Sequence, residues 1–139
     1  MSAGTLKLLI AGTLGVVAVA LAAETFDVTT GQREYQANCA ACHGASGAGG
    51  GPLTDFLPRP PPDLTACAIR NGGSFPTELA WHTIDGRSFG SEDKLREMPV
   101  WGESFEEAAV SSSEPPVEPD QIVNARIWSL VEYLKSIQR

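Results

Sequence analysis

The clearest pattern lies near the C-terminus, where Val123, Ile127, Leu130, Val131 and Leu134 recur at intervals of three and four, with Trp128 beside them. That spacing lines one face of an α-helix, and Pro119 near the start with Asp120 in the first turn suits a helix N-terminus. A first helix is predicted from Thr29-Thr30-Gly31 to about His43, capped by Thr29 or Thr30. Gly31, Tyr35 and Cys39 share a face of it. Glycine there permits a close crossing, so Leu130 and Tyr133 of the last helix are expected to pack on Gly31 and Tyr35.

Weaker patterns fill the middle of the chain. Asp63 is placed to cap a helix from Leu64 to Asn71, with Leu64 and Ile69 toward the core. A third runs from Glu78 to Ile84 behind Thr77 or Ser74, with Leu79, Trp81 and Ile84 inward, and a fourth from Gly102 to Val110 turns Phe105 inward. No period-two run is long enough for a sheet, and there is no internal repeat. The expectation is an all-α domain.

Between these elements lie breakers of three kinds. Gly44 to Pro52 is glycine-rich turn material, Arg59-Pro60-Pro61-Pro62 is held extended by proline, and Ser111 to Pro119 reads as a polar, proline-rich linker. Residues 8–23 form an uncharged, mostly apolar run between Lys7 and Glu24. It is short for a bilayer span and ends in the small-x-small pattern Ala20-Leu21-Ala22, so residues 1–23 read as an export signal, with an uncleaved membrane anchor as the alternative. Residues 24–139 then form one domain.

Composition adds a constraint. The chain has 139 residues, 42% of them hydrophobic, and much of that apolar content precedes Glu24. An enclosed apolar cofactor would supply the missing core. Ten Lys and Arg against seventeen Asp and Glu leave a formal charge of −7, the wrong balance for a nucleic-acid partner and the right one for a basic protein surface.

The chemistry concentrates in Cys39-Ala40-Ala41-Cys42-His43. Two thiols three residues apart with an imidazole directly after them suit haem attached through two thioethers, with histidine on the iron. Zinc would need further ligands, and only Cys67, His82 and carboxylates remain to supply them. A thioredoxin-like dithiol would need a strand before it and a parallel sheet around it. The motif therefore predicts one covalently attached haem c, with His43 as proximal ligand. Cys67 is the odd cysteine, and its apolar neighbours suit an inert thiol.

Other site residues follow from position. Pro52 is the expected source of a carbonyl for the His43 Nδ1 proton, and Arg59, on the proline-fixed segment, is a candidate propionate partner. Met98, before Pro99 and well past the motif, is the candidate sixth ligand, with His82 its competitor. Phe56, Trp81 and Trp101 would exclude solvent.

Taken together, Gly31, Tyr35, Cys39-Cys42-His43, Met98-Pro99 and Leu130/Tyr133 resemble the bacterial class I cytochromes c over roughly residues 30–137. The resemblance implies a small fold of three to five helices wrapped round one haem, with N- and C-terminal helices crossing. It also implies thioethers at Cys39 and Cys42, axial ligands His43 and Met98, and the Pro52 bond to His43. The implied role is one-electron transfer between redox complexes, or from a dehydrogenase to an oxidase, rather than enzymatic turnover. The expected setting is periplasmic, either soluble or tethered through residues 8–23 to the outer face of the inner membrane. Rival roles are a haem subunit relaying electrons inside a larger respiratory or photosynthetic complex and, further off, a small haem enzyme. The chain lacks the lysine ring of the mitochondrial proteins, so their docking surface does not carry over.

Overall fold

A computed structural model of the chain describes residues 26–89, 97–112 and 118–139. The 8–23 segment and the middle of the Ser/Pro linker lie outside these residues. Among the described residues there are six α-helical segments: α1 Val28–Asn38, α2 Ala40–His43, α3 Cys67–Arg70, α4 Thr77–Asp85, α5 Trp101–Ser112 and α6 Pro119–Ser136. Single 3-10 turns cover Thr54–Phe56, Leu64–Ala66 and Arg87–Phe89. No strand occurs among the described residues. Four of the six segments exceed two turns; α2 and α3 are single turns.

The first helix differs from expectation at both ends. Asp27 is the cap: its carboxylate accepts from the Thr29 and Thr30 N–H groups at 3.0 Å each, satisfying donors that have no partner inside the helix. Those bonds, Thr29 first, pull the Asp27 pKa below its usual value. At the other end the helix breaks at Cys39, whose φ of −114° departs from helical geometry, and resumes for the one turn that carries Cys42 and His43.

α1 and α6 cross as the sequence predicts, and Gly31 makes the crossing close. A Cβ built there would overlap the Ser129 carbonyl oxygen and come within 2.9 Å of Tyr133 Cβ. One turn on, the Tyr35 and Tyr133 rings sit 5.2 Å apart. Tyr35 is fully buried, and its hydroxyl donates to the Gly44 carbonyl at 2.7 Å, tying the crossing to the residue after His43. On the flank, Arg126 grips both Glu34 oxygens, at 3.0 and 2.7 Å, and lies 3.8 Å from the centre of the Phe105 ring, so α1, α5 and α6 meet there.

The apolar stripe of α6 forms the core. Val123, Ile127, Leu130, Val131 and Leu134 are all buried, joined by Tyr35, Phe105 and Ile84 from the other helices. Ile69, expected inward, is exposed because the helix from Asp63 opens with a 3-10 turn, which rotates its later residues outward. Asp63 caps that turn as predicted, accepting from the Thr65 N–H at 2.9 Å. The segment is held from the far end of the chain. Gln138 accepts from the Ala68 N–H and donates to the Leu64 carbonyl, while the Arg139 N–H donates to the Thr65 carbonyl.

Candidate functional site

The C-terminal end of α1 and α2 open onto a cavity of about 750 Å³, within the range of roughly 300–1,000 Å³ usual for cofactor pockets. Cys39, Cys42 and His43 form part of its wall. Arg59 to Pro62, Cys67 and Arg70 of α3, Leu79 of α4, and Leu130 and Leu134 of α6 add to it. Met98, Pro99 and Trp101 also line it. The fold thus brings the thiols, the imidazole and the thioether to one largely apolar space, although Met98 is 55 residues from His43 in the chain.

The donor set suits haem. His43 Nδ1 is buried without a hydrogen-bond partner, and the nearby Pro62 carbonyl is the acceptor it would need; donating there would leave the other ring nitrogen free for iron. Burial lowers the imidazole pKa, which favours the neutral, ligating form, and the neighbouring Pro62 carbonyl pulls it partway back. Burial pushes the Cys39 thiol up to about 12, with Glu34 and Cys42 adding to the shift. That direction is opposite to what a reactive dithiol needs. None of the three cysteines is in a disulfide, and the described residues contain no cluster of three or more His, Cys, Asp or Glu fit to hold a metal ion. The zinc and dithiol readings therefore have no support in the geometry.

Several sequence-predicted residues lie elsewhere. Pro52 is exposed and makes no bond to His43 Nδ1; the carbonyl beside the ring belongs to Pro62, two residues before Leu64, whose N–H donates to the Gly47 carbonyl at 2.8 Å and ties the end of the proline segment to the loop after α2. Trp81 is not part of the cavity wall. It packs in an aromatic group with His82, at 5.1 Å, and with Trp128 at 6.3 Å, which in turn stacks on Phe26. Phe56 is 81% exposed and shields nothing, which leaves Trp101 as the wall. His82 is exposed and also off the wall. Leu79, though 62% exposed, does line the cavity.

Arg59 lines the cavity, but its Nε donates to Glu97 at 3.0 Å, the residue before Met98. Sequence reasoning missed this partner, and it missed Arg70, which lines the cavity and donates to Cys67 Sγ at 3.3 Å. The only signal for that contact was the three-residue spacing of Cys67 and Arg70 on one helical face.

An all-helical domain that gathers a Cys-x-x-Cys-His motif and a distant methionine onto one apolar cavity is a c-type cytochrome. A family model described as cytochrome c oxidase, cbb3-type, subunit III matches residues 26–113, more than half the chain, and the chain belongs to that family. No curated protein and no solved structure matches it. The protein is therefore an electron-transfer protein that holds haem c covalently. Bound there, haem c supplies an Fe(III)/Fe(II) couple. The chain's own part would be to attach and orient the group and to exclude water with the apolar walls of the cavity.

Proposed function

We propose that this chain carries one haem c and passes single electrons between redox partners on the periplasmic side of the inner membrane. Cys39 and Cys42 hold the haem by thioethers, and His43 and Met98 are the axial ligands. The observation that carries this reading is the shared cavity wall of Cys39, Cys42, His43 and Met98. With both axial positions filled by protein there is no open site for substrate, which favours a carrier over a haem enzyme. A sulfur ligand opposite the imidazole raises the potential. The net charge of −7 suits a partner with a basic docking patch.

The family description favours a second reading, in which residues 8–23 tether the domain and it relays electrons within a larger oxidase complex. Intact mass of the natively purified protein, with its copurifying proteins identified, tests both. The polypeptide plus one haem, lacking residues 1–23 and isolated alone, is expected for a mobile carrier. Retention of residues 1–23 with a large partner would establish the relay. A bare polypeptide mass would refute haem attachment altogether. Carbon monoxide binding to the native reduced protein at neutral pH would overturn the closed coordination and point to a haem enzyme.

A further inference from the structure

At the end of α4 a buried carboxylate, Asp85, pairs with the partly exposed Arg87, a contact that the electron-transfer reading does not use. Asp85, 3% exposed, accepts from Arg87 Nε at 2.8 Å and from the Arg87 backbone N–H at 3.1 Å. Arg87 Nη1 also reaches Glu106 of α5 at 3.3 Å and Asp120 of α6 at 3.0 Å. One guanidinium thus joins three helices at their meeting point.

On this pair rests the second residue of α5. Gly102 is buried, and a Cβ built on it would overlap Asp85 Oδ1, come within 2.6 Å of Arg87 Nε and lie 2.8 Å from the Asp85 carbonyl. Only glycine permits that approach. The chain running back from Gly102 to the cavity is short and stiff. Trp101 is on the cavity wall, the Val100 carbonyl is held by the Ser104 N–H at 3.3 Å, and Pro99 has its φ restricted by its ring. A displacement of Gly102 therefore reaches Met98 with little slack to absorb it.

We infer that the Asp85–Arg87 pair is a positioning device for Met98: by seating Gly102 it sets the reach of the thioether to the haem iron. The inference rests on the proposed ligation by Met98 and deepens it. A second tie to the same loop, Arg59 to Glu97, is more exposed, with 70% and 34% of the two side chains open to solvent. A pair so placed is weakened by salt and contributes little. The buried seat is the tie that governs the ligand.

The test uses holoprotein with Gly102→Ala, Arg87→Gln and, as comparisons, Met98→Ala and Gly31→Ala. The readouts are the weak far-red charge-transfer band of sulfur-ligated ferric haem, the alkaline midpoint at which it disappears, and competition by added imidazole. Gly102→Ala and Arg87→Gln are expected to lose the band or lower its midpoint by about one pH unit or more, with imidazole binding roughly tenfold tighter. Gly31→Ala should lower stability without moving the band, which separates positioning from general loosening. Should Gly102→Ala fail to fold, Arg87→Gln, which retains a donor toward Asp85, decides. An unshifted band and midpoint in a folded Arg87→Gln or Gly102→Ala protein overturns the inference. Absence of the band in the unmodified protein, or its persistence in Met98→Ala, overturns instead the ligation by Met98.

Discussion

Gly31→Ala puts the closeness of the terminal helix crossing to the test. The new methyl would overlap the Ser129 carbonyl oxygen, sit 2.5 Å from its carbon and 2.9 Å from Tyr133 Cβ. Two of these three atoms are α6 backbone, so no rotamer change relieves the overlap. The helices must part by roughly 1.5 Å before ordinary contact returns, and close-packed interiors do not yield so far without loss. Overpacking of this kind costs about 1–3 kcal/mol, and more where backbone must move. Working against it, alanine is about 1 kcal/mol better than glycine inside a helix. Separation would also stretch the Arg126–Glu34 bonds and the Tyr35–Tyr133 contact, so the net expectation is a loss of about 2–3 kcal/mol. For a domain of this size that is a fall in Tm of roughly 10 °C. Urea unfolding of the holoprotein should show a lower midpoint at unchanged slope, while Gln32→Ala, one residue on and exposed, should change little. A Gly31→Ala protein as stable as the unmodified one, or more so, would mean that helix propensity outweighs the crossing and that the geometry is wrong.

Three further expectations follow from the same contacts. The buried Tyr35 hydroxyl, with its pKa pushed up to about 12 chiefly by burial, ionises later in the folded than in the unfolded chain. Its contribution is present below about pH 10 and is lost as the pH climbs toward 12, so unfolding midpoints should fall across that window and fall less in Tyr35→Phe. Arg126→Ala leaves Glu34 half-buried and removes the cation from the Phe105 face; a loss of about 1–2 kcal/mol is expected, and Arg126→Lys should restore only part because it cannot grip both oxygens. Removing Gln138 and Arg139 strips partners from the Ala68 N–H and from the Leu64 and Thr65 carbonyls, costing about 2–4 kcal/mol and speeding amide exchange from Leu64 to Arg70, while unchanged exchange would show that the cavity wall stands without the C-terminus.

Much of the molecule is local, and local features can be read from the chain. The motif Cys39-Cys42-His43 carries its own chemistry because its three side chains are brought together by close spacing, whether or not the helix runs unbroken through them. The α6 stripe, the Asp63 cap and Phe105 facing inward follow from periodicity and from donors that need partners nearby. Gly31 and Tyr35, a turn apart, foretold the α1–α6 crossing because only a small residue admits a close helix.

Tertiary structure decided the contacts between stretches distant in the chain. Nothing in the order of residues says that the Pro62 carbonyl rather than Pro52 lies beside His43, since that depends on a segment pinned by Gln138 and Arg139 from beyond α6. Trp81 sits on a helix as expected, yet which neighbour it meets was set by Trp128 and Phe26 arriving from both ends of the chain. Arg59 found Glu97, and Arg87 found carboxylates on three helices, because a charge takes the partner that folding delivers. Spacing along the chain determines what a residue can do, whereas burial and long-range partners determine which of those capacities it uses.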